Sequence, residues 1–354
     1  MPVMKRLRVT TIAGARPQFV KAAAMSRAFS LDERFEERLI HTGQHSDFEM
    51  SGSFFEELGL SHPALNLGIG NLPHGAMTGR MMEGIEADLL AARPDCVLVY
   101  GDTNSTLAGA LAAVKQQIPV IHAEAGMRSG RMDVPEEVNR ILTDRISTLL
   151  LCASRQAMDN LEREGLAART CFTGDVMYDV ALFAKSRAEQ SGIRSGLKVS
   201  KGEYSLLTVH RAENTNDASR LKTLLDYAVS NAKGRPIVFP LHPRTQAIAR
   251  KAAIDLSRFV ATGPLGYLDF QALLANAAQV LTDSGGVQKE AYFHRVPCVT
   301  LREETEWTET LEAGWNRLWT SPGYATPRLE IQDYGDGRAA ESSLAAIWSA
   351  LGAR

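Results

Sequence analysis

The amino-acid sequence predicts an α/β fold made of two parallel-sheet domains, and three observations lead there. Ten short β-rich runs recur along the chain, helix-like stretches separate them, and the 354 residues exceed one ordinary core of roughly 150 to 200 residues. A cleft between domains is the expected place for a site in such a protein.

In order, the runs are LRVTTIA (7–13), RLIHT (38–42), DCVLVY (95–100), PVIHA (119–123), TLLLCA (148–153), YSLLTVH (204–210), RPIVFPLH (235–242), RFVAT (258–262), QVLTD (279–283) and PCVTL (297–301). They are near-continuously apolar rather than alternating, as strands buried on both faces are, and such burial belongs to parallel sheets covered by helices. Between them, STLAGALAAVKQQ and ASRLKTLLDYAVSNAKG repeat apolar residues at helical spacing. From Ala184 to Glu203 large apolar residues become sparse while Ser, Gly and charges accumulate. That shift places a boundary there and divides the chain into domains 1–184 and 185–354. The last helix-like segment, AAESSLAAIWSALGA, either completes the second domain or crosses back to the first.

Composition excludes several classes of function. With 45% apolar and 23% charged residues the chain is globular rather than disordered or fibrous. Its 39 basic and 41 acidic residues create no overall field for nucleic acid or an anionic membrane, so any anion site is local. No run approaches the ~20 apolar residues that span a bilayer. The opening MPVMKRLRVTTIAGARP lacks a signal-type cleavage site, and the protein is expected to be cytoplasmic. Cys96, Cys152, Cys171 and Cys298 share no metal-like spacing, and three lie in apolar runs. Free, buried thiols are the expectation.

Polar motifs follow the runs: GARPQFVK, TGQH, GDTNST, HAEAGMRSG, TGD, HRAENT, HPRT, DSGGVQKE and LREETEW. Ligands of open α/β sheets bind beyond the carboxyl ends of strands, so nine such ends, in both halves, suggest facing rims of one cleft. Arg16 with Lys21, His210 with Arg211, and His242 with Arg244 each follow a run and together suggest a diphosphate clasp. TDSGGVQKEAYF reads as strand, turn and helix. Ser284 is placed to cap, Gly285 and Gly286 allow close backbone approach, and the helix N-terminus favours phosphate. Glu290 lies within that helix, either facing solvent or placed to accept hydrogen bonds from ribose hydroxyls. The motif is no Walker loop and no G-x-G-x-x-G follows the first strand, so no dinucleotide redox cofactor is expected. Carboxylates gather in the first half, at Asp102, Glu124, Glu136 and Glu137. They form either an acid/base set or a salt-bridge network with Arg128, Arg131 and Arg140. Pro135 suits a first helical turn, where acids are also favoured.

Taken together, from GARPQFVKAA through TGQH, YGDTNST, HAEAGMRSG, PEEVNR, TGD, TVHRAEN, PLHPRT and DSGGVQKEA to LREETEWTETLEAG, the motifs resemble the non-hydrolysing UDP-N-acetylglucosamine 2-epimerases, nearly end to end. The resemblance implies two Rossmann-like domains around a cleft in the glycosyltransferase-B arrangement, UDP held chiefly by the second domain, a homodimer, and no cofactor or metal. It also implies a reaction: UDP leaves C1 while a base takes the C2 proton, and UDP adds back to the glycal after protonation from the other face. By motif, Asp102, Glu124 and Glu136 resemble the family's catalytic acids and His210 its essential histidine. Arg16, Ser284, Gly285, Gly286 and Glu290 match UDP-binding positions, with Lys21 near the reacting sugar.

Departures are also legible. GARPQFVK stands where well-known members read closer to G-T-R-P-E-A-I-K, Trp307 replaces an expected Arg, and LNLGIGNLPHGAMTGRMM lacks the pattern that binds an activating second UDP-GlcNAc. These variants resemble the branch acting on UDP-2,3-diacetamido-2,3-dideoxy-glucuronate, an intermediate of bacterial surface polysaccharides. UDP-GlcNAc is the alternative substrate, and a glycosyltransferase on the same fold the alternative of another class.

Overall fold

The computed structural model describes residues 6–44, 55 and 57–352. The chain divides into two compact units, residues 1–180 with 332–354, and residues 181–331. The first division lies inside the helix Val176–Ala188.

The first unit holds a seven-stranded sheet of β1 (Leu7–Ala13), β2 (Phe35–His41), β3 (Leu65–Asn66), β4 (Cys96–Tyr100), β5 (Val120–Ala123), β6 (Leu149–Cys152) and β7 (Thr170–Phe172), in the order β3-β2-β1-β4-β5-β6-β7. Every neighbouring pair is parallel. Ile12, Val97 and Val99 pack against Met81, Ile85 and Leu89 of the helix His74–Ala92 and the alanine-rich face of the helix Asn104–Lys115.

The second unit holds β8 (Ser205–Thr208), β9 (Ile237–Pro240), β10 (Val260–Thr262), β11 (Gln279–Thr282), β12 (Cys298–Thr300) and β13 (Asn316–Leu318), ordered β10-β9-β8-β11-β12-β13 and again all parallel. Its strands explain their own sequence pattern. Leu207, Phe239 and Leu281 bury one face against Leu221, Leu224 and Leu225 of the helix Ala218–Asn231. Their chain neighbours Leu206, Val238 and Val280 bury the other, against Leu273 and Leu274 of the helix Tyr267–Ala275. With both faces covered, consecutive residues must all be apolar.

All ten expected strands are present. Three more, β3, β7 and β13, have no counterpart in the expected set, and each is an edge strand of two or three residues. Pairing on one side only and partly exposed, an edge strand needs no continuous apolar run. The four cysteines are free, and Cys96, Cys152 and Cys298 are buried. Burial pushes the Cys96 thiol up to about 12 and the other two higher than their ordinary value, which keeps all three as inert thiols at neutral pH. Among the described residues, no helix is long and apolar enough to cross a membrane.

Of the two courses open to the last segment, the helix Ala339–Leu351 takes the return to the first unit. Trp348 packs edge-on against Phe35, ring centroids 5.8 Å apart. Asp179 accepts hydrogen bonds from the N–H groups of Ala339 (3.0 Å) and Ala340 (2.8 Å), satisfying two donors that the helix start leaves open. Burial outweighs these two donors and pushes the Asp179 carboxyl up to about 6 from an ordinary 3.8. The folded state therefore binds this proton more tightly than the unfolded chain. Its contribution is complete below about pH 4 and is lost as pH rises through about 6, a change on the order of 3 kcal/mol. Asp179→Asn, which cannot ionise, should melt progressively higher relative to the wild type as pH is raised from 4 to 7. Thermal unfolding at intervals across that range measures the difference.

Candidate active site

Both sheets run 3-2-1-4 from one edge, so each changes direction of travel between its first and fourth strands, the place where open α/β sheets bind ligands. In the first unit this point lies between β1 and β4, and in the second between β8 and β11. The expected site motifs flank these strands.

After β1, half-buried Arg16 opens the helix Arg16–Leu31, with Pro17 in its first turn. Two residues on, Gln18 ties β1 to β4. Its Oε1 accepts from the N–H of Gly14 (2.8 Å) and Ala15 (3.0 Å), and its Nε2 donates to the Tyr100 carbonyl (2.9 Å) and Thr106 Oγ1 (3.0 Å). An ionised Glu at this position, as in the family motif, has no proton to give that carbonyl. The Gln variant thus changes how the two strand ends are joined. The motif TGQH follows β2, and its His45 lies outside the described residues.

Beyond β4 the chain turns at Gly101, φ +62°. A Cβ on Gly101 would stand 3.2 Å from Glu124 Oε2 and 3.4 Å from Lys21 Nζ, so glycine here makes room for both charges. Lys21 is buried and ion-paired to Glu124. Glu124 itself has φ +64°, an uncommon conformation for a residue with a side chain. The side chain of Asp102, 33% exposed, is ion-paired to Arg140, and the Asp102 carbonyl accepts from Asn139 Nδ2 at 2.9 Å.

Pro135 is the first residue of the helix Pro135–Ile146, with Glu136 and Glu137 in its first turn. The two glutamates have opposite fates. Glu136 is exposed, with no hydrogen bond or ion pair among the described residues. Glu137 is buried, accepting from the N–H groups of Ser129 and Gly130, the Ser129 hydroxyl, and Arg140 Nη1 at 2.8 Å. Burial acts to raise the Glu137 carboxyl, but these donors prevail and hold it below its ordinary value. Helix-dipole stabilisation is therefore the smaller part of its role.

Behind this cluster, buried His122 meets Asp144 Oδ1 through Nδ1 and the Gly101 carbonyl through Nε2, both at 2.7 Å. Asp144 also accepts from the Gly126 N–H (3.1 Å) and Arg128 (2.7 Å), and Arg128 reaches on to Glu164. Burial raises the Asp144 carboxyl, yet His122 and Arg128 more than offset it. The salt-bridge reading is thus correct for the arginines, with partly different acids. Arg140 joins Glu137 and Asp102, Arg128 joins Asp144 and Glu164, and exposed Arg131 pairs with Asp133.

In the second unit the organising group is buried Asp283, at the end of β11. It accepts from the N–H groups of His210 (2.9 Å) and Arg211 (2.9 Å), from Asn214 Nδ2 (3.1 Å), and from His210 Nδ1 (3.2 Å). Burial opposes ionisation, but His210 and the loop donors hold the Asp283 carboxyl below its ordinary value. With Nδ1 engaged, the His210 ring, 38% exposed in its side chain, keeps Nε2 for other chemistry. His242 lies beside it, ring centroids 5.6 Å apart, and caps the helix Pro243–Lys251 through the Arg244 N–H. Ser284 occupies the N-cap position of the helix Gly285–Phe293, but contrary to expectation its hydroxyl makes no capping bond, and its own N–H goes to Thr282 Oγ1. Gly285 and Gly286 form the first turn. Glu290 is not solvent-facing: it is buried and accepts from the Tyr267 hydroxyl at 3.1 Å.

Asp102, Glu124 and Lys21 are thus brought together around Gly101, and His210 and Arg211 are joined to the Ser284 turn through Asp283. Sequence reading missed Gln18, His122, Asp144 and Asp283 as organisers. An acid directly closing a buried strand was the available signal for Asp283, whereas Asp144 sits mid-helix with nothing local to mark it.

A family model for UDP-N-acetylglucosamine 2-epimerase matches residues 27–326. Among curated proteins, the UDP-2,3-diacetamido-2,3-dideoxy-D-glucuronate 2-epimerase of Pseudomonas aeruginosa is 48% identical over 317 residues, covering 88% of each chain. The UDP-N-acetylglucosamine 2-epimerase of Methanocaldococcus jannaschii is 41% identical over 323 residues, again 88% of each. The crystal structure of the M. jannaschii UDP-GlcNAc 2-epimerase in complex with UDP-GlcNAc and UDP superposes with a TM-score of 0.87 at 36% identity, over 98% of this chain and 100% of that one. The Neisseria meningitidis UDP-GlcNAc 2-epimerase bound to UDP-GlcNAc gives 0.86 at 25% identity, over 97% and 100%. The chain belongs to the UDP-N-acetylglucosamine 2-epimerase family, and it is an isomerase of the UDP-sugar 2-epimerase class.

The contrast between the adjacent glutamates is directly measurable. Glu137→Gln replaces one of two accepting oxygens by an amide nitrogen among the Ser129 and Gly130 N–H groups and Arg140 and should cost about 1–3 kcal/mol in urea unfolding, whereas Glu136→Gln should stay within about 0.5 kcal/mol of the wild type.

Proposed function

We propose that the protein inverts C2 of a UDP-N-acetylated hexose by eliminating and re-adding UDP, and that its substrate is UDP-2,3-diacetamido-2,3-dideoxy-glucuronate. The observation that carries the mechanism is the pair of carboxylates from neighbouring strand ends, Glu124 held by buried Lys21 and Asp102 held by Arg140, around a glycine that leaves the space open. A carboxylate takes the C2 proton as the C1–O bond breaks, its electron pair leaving with the UDP oxygen and a C1=C2 double bond forming. A second acid returns a proton to the opposite face of C2, and UDP adds back at C1. Glu136, free on the first turn of its helix, completes the proposed acid/base set.

The second unit is proposed to hold UDP. Helix amides at Gly285 and Gly286, the Ser284 hydroxyl, the Arg211 guanidinium and the His210 ring suit a diphosphate, and Arg16 and His242 are assigned to the same nucleotide. Glu290, which accepts from Tyr267, is assigned to the ribose hydroxyls of the same nucleotide. The P. aeruginosa relative supports the diacetamido-glucuronate, together with the GARPQFVK and Trp307 variants. The M. jannaschii relative keeps UDP-GlcNAc as the alternative substrate.

Incubation of each UDP-sugar with enzyme in D₂O tests both parts. Epimerised product should carry deuterium at C2, and the uronate should turn over faster. Product without deuterium overturns the elimination, and preference for UDP-GlcNAc overturns the substrate. A glycosyltransferase would retain the C2 proton. Glu124→Gln should lower turnover by at least ~10²-fold while UDP still binds, and unchanged turnover would remove Glu124 from the chemistry.

A further inference from the structure

We propose that the indole N–H of Trp307 donates a hydrogen bond to an anionic oxygen of the bound UDP-sugar, at the start of the helix Gly285–Phe293. The inference rests on the proposed UDP-sugar reading and adds a ligand-binding residue to it. Trp307 stands where the family resemblance leads one to expect an arginine, and the replacement has not simply removed a donor. Its side chain belongs to a residue only 7% exposed, yet Nε1 has no acceptor among the described residues. That nitrogen is not sealed inside the protein, so its N–H is open to a ligand oxygen. The indole nitrogen points at the glycine corner: a Cβ built on Gly285 would lie 3.2 Å from Trp307 Nε1 and 3.9 Å from Arg211 Nη2. The Arg211 guanidinium likewise has no hydrogen-bond acceptor among the described residues, because neighbouring Glu306 is engaged by Arg302 at 2.9 Å. An indole N–H, a guanidinium and the first amides of a nine-residue helix therefore converge where glycine leaves room, and all of them donate.

Lys289 strengthens the arrangement. This fully buried residue places Nζ 3.9 Å from the centroid of the Trp307 ring. A cation against the ring face is attracted to its π-electrons and withdraws density from the indole, making the N–H a better donor to an anion. The ligand oxygen belongs to a phosphoryl group or to the carboxylate of a uronate sugar, since both present the same anionic acceptor.

Uniformly ¹⁵N-labelled full-length protein gives four indole N–H resonances, one per Trp, and Trp307→Phe assigns its signal by loss. On titration with UDP the Trp307 proton resonance should move downfield, and the Phe variant should bind UDP about 10-fold more weakly. If UDP affinity is instead unchanged while KM rises only for the uronate substrate, the accepting oxygen is the carboxylate. Saturating UDP-sugar that leaves the Trp307 resonance in place, with wild-type affinities in the variant, overturns the assignment while sparing the epimerase reading. Wild-type protein that binds neither UDP nor either UDP-sugar overturns both. The three remaining indole signals report whether the variant is folded, and should it fail to fold, the wild-type titration decides alone.

Discussion

A carboxylate removed from water must be met by donors, and one such carboxylate sits behind the carboxyl edge of each sheet. Asp144 in the first unit gathers His122, the Gly126 N–H and Arg128, and Asp283 in the second gathers the N–H groups of His210 and Arg211, Asn214 and the His210 ring. In both, burial pulls toward the neutral acid and the donors win. An unpaired charge in such a place would cost several kcal/mol, so the loops that provide the donors have little freedom to be elsewhere. Through His122 the first network reaches the Gly101 carbonyl, and Gly101 is the turn that separates Asp102 from its strand and leaves space for Glu124 and Lys21.

Arg140 shows how structure and chemistry share a side chain. One nitrogen is fixed by buried Glu137, which also closes the Ser129–Gly130 loop, and another holds the partly exposed Asp102. The Asp102 carboxylate is thus paired with a guanidinium that is itself anchored by Glu137. Lys21, from the helix after β1, pairs with Glu124. In the second unit the acid beside the glycine turn, Asp283, is met by His210 and by loop N–H groups. The turn presents the backbone amides of Gly285 and Gly286 and, among the described residues, a serine hydroxyl that makes no capping bond.

Much of this was legible in the chain. Nine of the ten readable strands are central, and central parallel strands are covered on both faces, which forces consecutive apolar residues. The polar motifs that follow them marked Asp102, Glu124, His210 and the Ser284 turn as candidate positions, because loops at the carboxyl ends are where such sheets meet ligands. The edge strands β3, β7 and β13 were not readable: each is only two or three residues long, and a strand paired on one side need not carry that pattern, although β10, also at an edge, does.

What the sequence by itself determined is therefore the kind of layer each segment enters and the chemical character of the loops between layers. Only the tertiary structure decided which side chains meet. Glu136 and Glu137 are adjacent and identical in type, yet one helical step of about 100° sends one outward and the other into the protein. His122 finds Asp144, Lys21 finds Glu124 and Trp307 meets the Gly285 corner across long stretches of chain. Backbone propensity and hydrophobic pattern act over a few neighbouring residues, whereas satisfying a buried charge or donor depends on whatever the folded chain brings within hydrogen-bond reach.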